Sequence, residues 1–163
     1  MNKKVYELSE MAILLALALA LGILENWLPL PINLPGVKLG LANIVVMFAL
    51  LKLNRQKALM IVIAKSGFSL VTRGLIAGLL SFSGGIFALL AMISVQKFLQ
   101  GSLLLISIAG ALAFNFGQLL VIIFIYGSVN LAYYGFVLAV SAIITATITA
   151  LILRGLWSFF KEP

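Results

Sequence analysis

Residues 103–126, LLLISIAGALAFNFGQLLVIIFIY, form a stretch long enough to cross a bilayer and contain no charged side chain. Five more apolar runs accompany it, at roughly 8–26, 39–53, 58–76, 79–97 and 132–154. Hydrophobic residues make up 64% of the 163-residue chain and charged residues 9%. No soluble domain of that size hides so much apolar surface, so the bilayer is the solvent. The expectation is one all-α integral membrane domain over residues 1–163, a six-transmembrane-helix bundle in the cell membrane, multi-pass. Several runs sit near the lower limit of about 17 residues for a span. The second is the shortest and the fourth begins in glycine-rich sequence, so either can be tilted or broken. Before Glu25 the first run continues too long, and lacks the small-residue site, for a cleavable signal. The absence of cysteine removes disulfide and thiol chemistry, and the absence of histidine argues against a zinc or haem cofactor. No cofactor is expected.

The first connection, WLPLPINLPGVK (27–38), holds three of the four prolines. Proline removes a donor and biases its predecessor towards extended backbone, so an ordered, non-helical loop is expected. In a six-helix topology Lys3, Lys4, Lys52, Arg55, Lys57, Lys97, Arg154 and Lys161 fall on one side, with Lys38 and Arg73 near the other. Excess Lys and Arg mark the cytoplasmic side, so both termini are expected there. Trp27, Tyr126, Tyr133 and Tyr134 would then ring the outer interface, and Trp157, Phe159 and Phe160 the inner one. The net charge of +7 follows from this topology and is no sign of nucleic-acid binding.

Within the third run, AKSGFSLVTRG (64–74) places Lys65 about 12 Å beyond Lys57 along a helix. A charge at the bilayer centre costs about 2.5–3.5 kcal/mol on insertion scales. Lys65, Ser69, Thr72 and Arg73 share one helix face. Lys65 can snorkel to the interface and Arg73 can cap the outer end; alternatively the stripe lines a hydrated cavity. The chain has four acidic residues and no aspartate. Glu7, Glu10 and Glu162 belong to the terminal side, so Lys38, Lys65 and Arg73 face Glu25 alone, which suggests an anionic ligand. On the fifth run Asn115 and Gln118 lie three apart. Each can bond a neighbouring helix, and together they suggest a pocket wall.

Ala12, Ala16 and Ala20 form a four-residue strip on the first helix suited to close helix contact, with Glu25 pointing roughly the opposite way. Ala142, Ala146 and Ala150 repeat the spacing on the sixth, where internal packing suffices.

The alanine-spaced first helix, the proline-rich loop and PGVKLGLAN (35–43) resemble the substrate-binding (S) components of energy-coupling factor (ECF) transporters. With SGGIFALLAM (83–92) and IAGALAFNFGQL (108–119), the chain resembles more narrowly the Gx transporter family, often labelled heptaprenyl diphosphate synthase component I. The resemblance covers nearly the whole chain. It implies that Ala12, Ala16 and Ala20 contact an energy-coupling transmembrane subunit joined to ATPase subunits. It also implies a substrate under the first loop, near Lys38, Asn43, Asn115 and Gln118. Relatives often carry histidine where Phe114 stands, so any proton or hydrogen-bond role of that side chain is absent here.

The candidate binding set is therefore Glu25, Lys38, Asn43, Lys65, Ser69, Arg73, Asn115 and Gln118. The leading function is the binding subunit for uptake of a small anionic metabolite. The chain has no phosphate-loop motif, so ATP use falls to partner chains. A prenyl diphosphate synthase is the second possibility, and the absence of aspartate denies it the acidic clusters that hold magnesium. A non-transporting membrane subunit of a redox or assembly complex is the third.

Overall fold

A computed structural model describes residues 3–25, 27, 40–99, 101–127 and 132–159. Lys38, most of the proline-rich connection, Phe160, Lys161 and Glu162 lie outside the described residues. Among the described residues the chain forms six helices: α1 (Lys3–Glu25), α2 (Asn43–Lys52), α3 (Arg55–Arg73), α4 (Leu75–Phe98), α5 (Leu103–Tyr126) and α6 (Ala132–Phe159). In lipid a backbone must satisfy its own polar groups, and helices do so within one segment.

Among the described residues four stretches are long and apolar enough to cross a membrane: Val5–Glu25, Leu75–Phe98, Leu103–Tyr126 and Leu138–Gly155. Their outer faces are apolar as well. Leu90, Phe124 and Leu151 stand exposed, as lipid-facing side chains do. The protein is a multi-pass membrane protein.

The second run departs from its expected bounds of 39–53. Its helix has 10 residues and is about 15 Å long, half of a bilayer core of roughly 30 Å. Gly40 explains the late start: its φ of 90° lies in the left-handed region, which a helix cannot continue through. Gly74 (φ 89°) likewise ends α3 at Arg73, not at 76, and α4 follows at once.

α2 is short but central. Val45, Val46, Met47 and Ala49 are buried against Ile61 and Val62 of α3, Ala88 and Met92 of α4, and Leu153 of α6. α4 and α5 approach backbone to backbone, where a Cβ on Gly117 would lie 2.9 Å from the Ser83 carbonyl oxygen. Ser83 Oγ donates to the Gly117 carbonyl at 2.8 Å across the same crossing. α6 lays Ala142 and Ala146 against Ala111 of α5, and Ser107 Oγ donates to the Ala146 carbonyl at 2.9 Å. α1 packs on α2 and α3 through Leu14 and Ala18, leaving Ala12, Ala16 and Ala20 exposed on its other side. Lys57 of α3 pairs with Glu7 of α1 at 3.4 Å near the end that carries the termini.

Candidate binding cavity

α3 is the most polar helix of the bundle, and its polar face is turned inward. Lys65, Ser69, Thr72 and Arg73 line a cavity of about 290 Å³ in the half of the bundle away from the termini. Ala18, Leu19, Gly22 and Ile23 of α1 supply an aliphatic wall, and Gly40 and Ala42 come from the turn before α2. Ser81 of α4 and Phe114 of α5 complete it.

Lys65 is 6% exposed, so its ammonium does not reach the interface. Its Nζ donates to Asn43 Oδ1 at 2.6 Å and stands over the Phe114 ring, 5.4 Å from the centroid. A cation within about 6 Å of an aromatic face is attracted by the ring quadrupole. Arg73 lies two turns further along α3, exposed at the cavity mouth. Ser69 Oγ donates to the Ala77 carbonyl at 3.3 Å, and Thr72 Oγ1 to the Phe68 carbonyl at 2.7 Å, so both hydroxyls satisfy backbone acceptors.

Glu25 is 3% exposed at the end of α1. Its Oε1 accepts from the backbone N–H of Gly40 and, at 3.4 Å, from that of Leu41. The carboxylate thus satisfies donors of the turn just before α2, near the positive dipole end of that helix. It belongs to the cavity wall and also joins α1 to the start of α2.

Glu25, Asn43, Lys65, Ser69 and Arg73 are therefore brought together, while Lys38 lies outside the described residues. Asn115 and Gln118 do not line this cavity. Asn115 Nδ2 donates to the Leu138 carbonyl of α6 at 2.7 Å, and Gln118 is buried without lining the cavity. The rotation of α5 that seats Gly117 on α4 points Phe114 at the cavity and Asn115 at α6. Phe114, Phe68, Ser81 and Gly40 were not in the candidate set. Phe68, inside the α3 stripe, was the one with a usable periodic signal.

A solved structure described as the S component of a bacterial ECF transporter superposes with a TM-score of 0.74, covering 98% of this chain and 100% of that chain at 16% identity. No curated protein matches. A family model described as heptaprenyl diphosphate synthase component I matches residues 14–156, and the chain belongs to that family.

Proposed function

We propose that this chain is the membrane-embedded substrate-binding subunit of an ECF-type transporter, taking up a small anionic metabolite. An energy-coupling membrane subunit and ATPase subunits would supply the power, and both termini would lie in the cytoplasm. The observation that carries the proposal is the composition of the cavity: among the described residues it is lined by two cations, Lys65 and Arg73, and one carboxylate, Glu25. The likeness to a solved S component supports the class of protein, and the positive wall supports an anionic ligand. Pockets of this kind combine apolar surface with a few placed polar groups, as the α1 and α3 walls do here.

The family description names a synthase component. A prenyl diphosphate, bound by the same cations without being turned over, is therefore the second ligand class to test. Diphosphate chemistry through clustered aspartates has no residues to use, because the chain contains no aspartate.

Native mass spectrometry of the purified protein tests both readings, because a retained metabolite and a retained prenyl diphosphate differ in mass. Replacing Lys65 or Arg73 by Met keeps length and apolar packing while deleting charge. Truncating a buried charge–ligand contact costs about 2–5 kcal/mol, so Lys65→Met should weaken binding of the retained anion by about tenfold or more, and Arg73→Met, at the exposed mouth, should weaken it less. Unchanged affinity in both variants would place the binding site elsewhere.

A further inference from the structure

At the buried end of the cavity, beside Lys65, the lining includes Phe114, whose orientation is fixed from both edges. Phe114 is 3% exposed. A Cβ built on Gly40 would lie 3.0 Å from its Cδ1 and 3.3 Å from its Cε1. A Cβ on Gly84 would lie 2.8 Å from both Cδ2 and Cε2. Each long edge of the ring therefore rests against a glycine, one from the turn before α2 and one from α4, where no side chain fits beside it. Interiors packed this closely do not let a ring swing aside without moving backbone. The ring face carries the Lys65 ammonium, which Asn43 holds from its own side. Ring, ammonium and amide form one block at the bottom of the cavity.

The walls above that block are unlike each other. α3 offers Lys65, Arg73 and two hydroxyls beside Phe68, while α1 offers the aliphatic stretch Ala18, Leu19, Gly22 and Ile23, with Glu25 at its end. A metabolite polar all round would leave its α1-facing groups without partners, and buried polar groups without partners are disfavoured.

We propose that Phe114 is the specificity-determining residue of this cavity. It sets the depth, so the accepted substrate is a short amphipathic anion with its charge towards α3 and its apolar edge towards α1. The inference rests on the anion-binding reading and adds the limit on length and polarity.

A rigid carboxylate series that grows by one ring at a time (benzoate, naphthoate, anthracenecarboxylate) tests it by calorimetric titration of the full chain in lipid nanodiscs, with empty nanodiscs as the partition control. Gluconate serves as the polar anion. The wild type should bind a short member of the series and reject the longest by about tenfold or more, the scale on which a fixed pocket wall discriminates. Gluconate should bind more weakly than benzoate. Phe114→Ala should move the cut-off one ring longer, and Phe114→Leu, which keeps apolar bulk and so protects the fold, should move it part of the way. Lys65→Met should weaken every member without moving the cut-off. An unchanged rank order in both Phe114 variants, with Lys65→Met still weakening the series, overturns the role of Phe114 and leaves the anion site standing. Gluconate binding as tightly as benzoate overturns the amphipathic class. Binding of no carboxylate above the empty nanodiscs overturns this inference and the anion-binding reading together.

Discussion

Glu25 carries two demands at once, and they respond differently to substitution. As an acceptor it satisfies backbone donors at Gly40 and Leu41; as a charge it offsets the cations of the cavity wall. Glu25→Gln keeps an acceptor oxygen and removes the charge. It should fold normally and bind a small carboxylate as well as the wild type or more tightly, because the net positive charge of the cavity rises. Glu25→Ala removes the acceptor too. Leaving buried backbone donors without a partner costs about 1–3 kcal/mol, so its thermal midpoint should fall by several degrees. Thermal unfolding and anion titration of the two variants separate the roles. Loss of anion binding in Glu25→Gln with an intact fold would mean that the carboxylate itself orients a cation or touches the ligand.

At the scale of helices, the same alanine spacing occurs twice with opposite consequences. Ala142, Ala146 and Ala150 are buried on α6, whereas Ala12, Ala16 and Ala20 are exposed on α1. Ala146→Leu forces a larger side chain into the α5 contact and should destabilise the isolated chain by about 1–3 kcal/mol. Ala16→Leu projects outward and should leave the thermal midpoint unchanged while reducing co-purification with the proposed energy-coupling subunit. Equal destabilisation by both would make the α1 strip an internal packing feature. Spacing alone could not assign these outcomes, because burial depends on which helices are neighbours. The α3 stripe was legible, since Lys65, Ser69, Thr72 and Arg73 share a face at helical spacing whatever packs against it. Asn115 was not. It and Phe114 differ by about 100° on α5, and the rotation that decides between them is set by the contact of Gly117 with α4. The length of α2 was likewise hidden, because the apolar run continues through Gly40 and only the backbone conformation there shows where the helix begins.

At the scale of the whole molecule, the cavity has a direction, and function depends on which side of the membrane it opens to. α1 ends, α2 begins and α3 ends around it, so it lies in the half opposite the termini. Lys52, Arg55 and Lys57 at the α2–α3 turn and Lys97 at the end of α4 gather at the half that carries the termini. Basic residues favour the cytoplasmic side, so the cavity should open outwards, as the proposed uptake requires. The chain contains no cysteine, so single substitutions report without a background to remove. Arg55→Cys and Asn130→Cys lie at opposite ends of the expected topology. A membrane-impermeant maleimide added to intact cells should label position 130 and not position 55, and position 55 should become reactive when the cells are permeabilised. The reverse pattern would turn the cavity towards the cytoplasm. The cations of α3 would then face an inner pool of anions, and uptake would have to give way to an intracellular ligand such as a prenyl diphosphate.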